Sequence, residues 1–300
     1  MNYFTHQIKN ESTLMGFTPR DKDILETIYH LEGVLADYQI VPRFFNSERR
    51  MKARMSLLCQ NGYLDRLTRQ QRNSYGFMAY FLSEKGIDYL CNLWGIPPEK
   101  LNARSKNDQT FRVRHDVKLN DVRMAIMDAL VQLPHIELIE WVNARAFQAH
   151  HDTITYTTDG KASKRKIAMQ PDGYFRLIQS KGKRPLHLRF LIELDMRPIA
   201  PNTFIQETFR PGLAYINSEA YAVRFGDNTG RWLVITTEEA LAFDMKRKLE
   251  PLLKTLGDKS SGFYFTSFEL ATTPGAFFTQ PIWWRPEEEN PVSLIDLSRY

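Results

Sequence analysis

Cysteine is scarce in this chain: Cys59 and Cys91 are the only two in 300 residues, and neither sits in a CxxC pair or at a Cys/His metal spacing. That excludes a thiolate zinc centre and a disulfide framework, and leaves two thiols on apolar helix faces, buried and reduced. Long apolar runs are missing too. Nothing approaches the roughly 20 residues of a membrane span, and the opening MNYFTHQIKNEST holds no apolar secretory stretch. The expectation is a cytoplasmic protein with no membrane partner. No GxxxxGKS/T loop is present to cradle nucleotide phosphates, no GxSxG elbow presents a serine, and no Cys/His nucleophile pattern occurs. Internal repeats and low-complexity tracts are also absent, and with 43% hydrophobic residues the chain can bury the cores of two domains.

What is present is concentrated between residues 18 and 95. Thr18-Pro19 is a helix start, with a capping oxygen before a residue that needs no N–H. Ile24, Leu25, Ile28 and Leu31 then recur at helical spacing until Gly33 interrupts them. A second segment, Asp37 to Phe45, carries Ile40, Val41, Phe44 and Phe45. Ser47 caps a third helix that runs through Gln60 to the turn signal Asn61-Gly62. Met51, Met55, Leu58 and Cys59 form its inner face, while Arg49, Arg50, Lys52 and Arg54 crowd its N-terminal half. Tyr63 to Leu67 and Phe77 to Leu82 read as two strands around a basic loop, Arg69 to Gly76, and Ser83-Glu84-Lys85-Gly86 opens a last helix. This is the order of a winged helix-turn-helix, with the loop as its wing.

Such a domain places the N-terminal residues of its recognition helix in the major groove, where arginine pairs with guanine and other cations reach phosphates. Between Ser47 and Arg72 seven cations (Arg49, Arg50, Lys52, Arg54, Arg66, Arg69, Arg72) face two anions, Glu48 and Asp65. That local excess implies a double-stranded DNA partner held by Arg49, Arg50, Lys52, Arg54, Arg69 and Arg72. The net charge of +5 over the whole chain only permits nucleic acid. The bland alternative is a solvated cationic face on a protein-docking winged helix.

A linker is expected over residues 96–114, after Ile96-Pro97-Pro98 ends the helical pattern. The reading is therefore a winged helix over 1–95 and an α/β domain over 115–300. Asn120 to Leu133 has a helical rhythm. Strands are expected at Ile136 to Asn143, Gln170 to Ile178, Leu186 to Leu194 and Trp232 to Thr237. Helices are expected near Phe204 to Asn217 and Glu238 to Thr255, and interleaving of this kind indicates a mixed α/β sheet. His150 to Lys166 reads as a polar loop. His150-His151-Asp152 is no metal site, because consecutive strand residues point to opposite faces. The aromatic Phe277 to Trp284 stretch reads as a final strand over the sheet or against a second copy, and Glu287-Glu288-Glu289 would repel DNA.

The chemically suggestive pieces are Gln170-Pro171-Asp172-Gly173-Tyr174-Phe175 and Phe190-Leu191-Ile192-Glu193-Leu194-Asp195. Carboxylates on adjacent strands supply the hard oxygens that Mg²⁺ takes, and Glu193 and Asp195, two apart, share one strand face. Such a site suits metal-assisted phosphodiester chemistry. In the structural alternative Asp172 caps a turn, while Glu193 and Asp195 pair with Arg123, Arg197 or Arg210.

A winged helix, then His115-Asp116 with Asn120-Asp121-Val122-Arg123, then Gln-Pro-Asp-Gly-Tyr-Phe, then Ile-Glu-Leu-Asp: this order resembles the replication-relaxation family of plasmids and mobile elements over most of the chain. The resemblance implies a PD-(D/E)xK nuclease-like second domain, with Asp172 and Glu193 as metal ligands and a lysine two residues beyond the glutamate positioning water. Asp195 stands at that lysine position. An anion cannot do the work of a cation, and arginine, here Arg210, stays charged and is a poor proton shuttle. The expectation is a DNA-binding protein acting in replication or relaxation, with a nuclease-like domain that does not cut. The rivals are a Mg²⁺-dependent endonuclease using Asp172, Glu193 and Asp195, and a transcriptional regulator whose second domain binds a ligand or partner. Other replication or mobilisation proteins and a second copy of the chain stay open as partners.

Overall fold

The computed structural model describes residues 16–101, 112–157, 164–180, 185–196, 200–227, 229–256 and 262–295. Contacts divide the chain into two compact units, 1–121 and 122–300. It is a mixed α/β protein throughout. The first unit runs α1 (Pro19–His30), β1 (Val34–Ala36), α2 (Asp37–Phe44), α3 (Glu48–Gln60), β2 (Leu64–Arg66), α4 (Arg69–Tyr75), β3 (Ala79–Leu82) and α5 (Glu84–Trp94). Its strands form a small sheet in the order β1-β3-β2, with both pairings antiparallel. Ser47 caps α3 by accepting the Arg50 N–H at 3.4 Å, and Met51, Met55 and Leu58 are fully buried along its inner face. Gly86 lets α5 start tight against the sheet, since a Cβ there would stand 2.2 Å from the Tyr63 carbonyl oxygen.

Two elements here differ from the sequence reading. Strand β1 follows the turn at Gly33, where only a break was expected, and pairs Val34 with Phe81. The expected wing loop is helical: Thr68 accepts the Gln71 N–H at 3.3 Å while Gln71 Oε1 accepts the Thr68 N–H at 2.9 Å. This reciprocal cap satisfies two end donors, and Gly76, at φ 83°, terminates α4 in the left-handed region.

Helix α6 (Val113–Val131) is longer than the stretch from Asn120 that its rhythm suggested, and its first turns complete the core of the first unit. Val113 and Val117 pack with Val34, Ala36, Leu67, Ala79 and Phe81. Asn120 Nδ2 donates to the carbonyls of Leu31 (3.0 Å) and Val34 (2.7 Å). Gln39 Nε2 donates to Val117 O (2.8 Å) and Asp121 Oδ1 (2.6 Å), and Tyr38 Oη donates to Asp121 Oδ2 (2.8 Å). Residues 113–121 therefore belong with the first unit, although the sequence put the second domain's start at His115. The linker expected over 96–114 falls largely on residues 102–111, outside the described residues. Asp121 sits in a setting where burial raises its pKa, and the bonds from Gln39 and Tyr38 only partly offset that.

The second unit is built on a five-stranded mixed sheet, order β10-β9-β8-β7-β4. Its strands are β4 (Ile136–Asn143), β7 (Gly173–Gln179), β8 (Leu186–Asp195), β9 (Gly230–Thr236) and β10 (Phe263–Ser267). The last three run parallel, while β7 is antiparallel to both β4 and β8. Parallel neighbours need crossover helices. Those between β8 and β9 are α8 (Pro201–Phe204), a π turn, α9 (Arg210–Ile216) and α10 (Glu219–Phe225), and α11 (Glu239–Leu256) joins β9 to β10. One sheet face carries Tyr174, Leu191, Trp232, Val234, Phe263 and Phe265, which pack with Phe209, Tyr215, Tyr221, Met245 and Leu249 of these crossovers. On the other, Phe175 stacks on Trp141 and Phe190 with centroids at 5.6 and 4.8 Å.

The polar stretch expected as a loop is largely ordered: α7 (Ala144–Ala149) leads into a hairpin of β5 (Asp152–Thr157) and β6 (Lys164–Met169). Ile154 and Met169 join the core, and Arg224 holds Asp152 and the His150 carbonyl, at 3.2 and 2.8 Å. The expected terminal strand is instead α12 (Phe268–Ala271), then α13 (Ala276–Thr279), then single bridges from Trp284 to Phe265 and Trp283 to Val292. No described helix is long and apolar enough to cross a membrane.

Because Asn120 satisfies two carbonyls at once, Asn120→Ala should lower the unfolding free energy of the first unit by about 1–3 kcal/mol, read from urea denaturation; an unchanged midpoint would contradict this anchor. The core residues of α6 also predict that a fragment ending at Lys106 unfolds at lower denaturant than one ending at Val131. Equal stability of the two would show that the helix is dispensable.

Candidate nucleic-acid interface

Helix α3 sorts its cations by what each can reach. Arg54 is engaged: its Nε donates to Asp21 Oδ1 at 2.7 Å, one NH2 group meets Asp21 Oδ2, and the same nitrogen reaches the Gly16 carbonyl at 3.0 Å. Asp21 has no exposed surface and also accepts the Thr18 N–H (2.6 Å) and hydroxyl (2.7 Å). Burial alone would raise this carboxyl, but the bonds from Arg54 and Thr18 and the Arg54 charge overcome it and hold it below its ordinary value. Arg54, expected on the DNA surface, thus ties the start of α1 to α3.

The remaining cations stay outside. Arg49, Arg50 and Lys52 are exposed, and Arg49 and Arg50 make no ion pair among the described residues. Lys52 meets Glu48 at 2.5 Å, one turn back, an exposed pair of small energetic weight. The Glu48 carboxyl is lowered by the Lys52 hydrogen bond and charge and, more weakly, by the Arg72 charge. Arg72 on α4 is therefore within electrostatic range of the first turn of α3. Arg69 is exposed on the same short helix. One cation escaped the sequence reading: exposed Arg114, in the first turn of α6, donates to the Ser74 carbonyl at 3.2 Å and lies 5.8 Å from the Tyr75 ring centre. Its position 40 residues downstream, beyond a polar stretch, gave no local signal.

The carboxylates of the second unit gather at one end of the sheet. Gly173 pairs with Ile192, so Asp172 stands beside the end of β8. Its N–H donates to the Ile192 carbonyl and its Oδ2 accepts the Leu194 N–H, both at 2.9 Å. Glu193 and Asp195 follow Leu191 at a spacing of two, on the face that the crossover helices cover. Asp172 and Asp195 are 8% and 7% exposed, too enclosed for a rim of solvated acids. Asp172 thus extends the ladder by one side-chain bond, as a turn cap does. Among the described residues no group of three or more His, Cys, Asp or Glu stands where it could hold a metal ion. A hard divalent cation needs more oxygens than Asp172 and Glu193 bring. The residues described do not make a resident Mg²⁺ centre, and no chemical step is routed through one. Arg123, expected near these acids, instead lies 4.5 Å from the Trp141 ring centre and donates to Asn143 Oδ1 at 3.1 Å. Arg197 lies outside the described residues. His115 and Asp116 do approach each other, at 3.3 Å, but in the first unit, where Arg112 also reaches Asp116 at 3.7 Å.

Arg54→Ala should cost about 3–5 kcal/mol, because it strands a buried carboxylate. The lowered Asp21 pKa also fixes a sign. The pair's contribution is fully present above the ordinary value of 3.8 and is lost as pH falls through it toward the depressed one. Asp21→Asn should therefore flatten the acid limb of the stability curve below about pH 4, measured by urea midpoints across pH. An acid limb identical to the wild type's would mean that Asp21 carries no linked proton.

No curated protein and no solved structure matches the chain. The replication-relaxation family model matches residues 25–210. That span includes α3 and α4, the anchoring residues Asn120 and Asp121, and the sheet end with Asp172, Glu193 and Asp195, and it is more than half of the 300 residues. The chain belongs to the replication-relaxation family.

Proposed function

We propose that the protein binds double-stranded DNA through α3 and acts in the replication or relaxation of a plasmid or other mobile element without cutting the DNA itself. The observation that carries this reading is the pair Arg49 and Arg50, exposed at the start of a buried-backed helix with no carboxylate partner among the described residues. Free guanidiniums at a helix start can pair bidentately with guanine in the major groove. The element order of the first unit and its β1-β3-β2 sheet fit a winged helix. In that reading Arg69 and Arg72 of α4, with Arg114, take the place of wing cations on the phosphates. Membership of the replication-relaxation family supplies the biological setting. The second unit holds its three acids in a structural role, and its partner is another replication or mobilisation protein or a second copy of the chain.

The test is fluorescence anisotropy of a labelled duplex across salt. Affinity should fall steeply with salt, and Arg49→Ala with Arg50→Ala should reduce the slope of log K against log salt by about two, one per released phosphate contact. Salt-independent binding, or full binding by the double variant, would sink the reading of α3. Incubation of supercoiled DNA with Mg²⁺ or Mn²⁺ should leave it intact. Nicking that disappears in both Asp172→Asn and Glu193→Gln would establish the nuclease instead.

A further inference from the structure

A cleft of about 630 Å³ opens between the start of α1 and one flank of α3. Pro19 and Arg20 form one wall, Arg50, Ala53 and Leu57 the other, and Phe45 the floor. The α3 residues recur at three- and four-residue spacing, so they make a single stripe. From Arg50 to Leu57 it runs about 10 Å along the axis, at about 1.5 Å per residue. The two ends differ in chemistry. At the Phe45 end the Arg20 guanidinium lies 5.2 Å from the Phe45 ring centre, and neither Arg20 nor Arg50 has a carboxylate partner among the described residues. At the far end Leu57 leaves 41% of its surface exposed. The one acid in the wall, Asp21, is saturated by Thr18 and Arg54 and neutralises neither free cation.

We propose that this cleft binds a small amphiphilic carboxylate, an aromatic or acyl acid about 10 Å long, with its head on Arg20 and Arg50 and its body on Ala53 and Leu57. Guanidinium forks match carboxylates, and an apolar floor with few polar groups is the usual make-up of a small-ligand site of this size. Binding also has a consequence for DNA, resting on the reading of α3 given above. Arg50 lines the cleft and stands at the DNA-facing end of the helix, so a ligand that takes it competes with the duplex. The site would make DNA binding sensitive to a metabolite.

The experiment titrates the full chain with 2-naphthoate by calorimetry, beside uncharged 2-naphthylmethanol and acetate, which lacks the apolar body. Saturable binding of 2-naphthoate, with both controls at least about tenfold weaker, is expected. Arg20→Gln and Arg50→Gln, each verified as folded by its thermal melt, should each weaken 2-naphthoate by about tenfold. Equal binding of the alcohol, or an unaffected Arg20→Gln, would overturn the site. Saturating 2-naphthoate should raise the duplex Kd of the wild type and leave that of Arg20→Gln unchanged. A wild-type Kd that does not move would overturn the competition. A chain that binds 2-naphthoate but no DNA would keep the site while removing the proposed function, so the two failures are distinguishable.

Discussion

A carboxylate with no exposed surface has to be met by donors, and the way Asp21 is met organises the whole candidate interface. Leaving such a charge unpaired would cost several kcal/mol, so Arg54 is drawn off the surface of α3 to a carboxylate at the first turn of α1. The helix that looks uniformly basic in sequence is thereby divided. Its inner face holds Met51, Met55 and Leu58, one flank is pinned through Arg54, and only Arg49, Arg50 and Lys52 stay available. Pinning also fixes the angle at which those three are presented. A rigid, cation-bearing helix start is what duplex recognition requires, because its discrimination depends on bidentate geometry more than on charge alone.

The second constraint is hydrogen-bond satisfaction in α6. Asn120 and Asp121 might have been read as chemical residues from their place in the family-like pattern, yet they hold backbone carbonyls and the side chains of Gln39 and Tyr38. The same lesson applies to Asp172, whose carboxylate accepts a backbone N–H from β8. Polar residues that stand out in a sequence are as often the ones that close a backbone ladder as the ones that act on a ligand. In this protein the residues with the plainest claim on an external partner are instead arginines with no internal one.

Much of this could be read in the sequence where periodicity and caps coincide. Strand β4 spans the expected Ile136 to Asn143, and α3 lies between Ser47 and Asn61 as its cap and turn residues required. Other elements were written in signals that were passed over. Thr68 and Gln71, three apart, are the cap of α4, and the alternation of Ile154 with Tyr156 and of Ile167 with Met169 marks the β5–β6 hairpin beneath its threonines and lysines. Tertiary pairings had no local signature at all. Nothing near Arg54 announces Asp21, 33 residues away, and nothing near Arg114 announces Ser74. The three acids were legible as neighbours on one sheet face, but that Asp172 spends an oxygen on Leu194 depends on a register between strands, which sequence does not fix.

The central claim is that DNA meets the first unit at the starts of α3 and α4 and not at the acidic sheet end. Hydrogen–deuterium exchange of the full chain with and without a saturating duplex reads this directly. The account predicts that protection gained on binding falls on residues 48–54 and 69–75 and is negligible over 172–195. Protection confined to 172–195, with α3 unchanged, would contradict it.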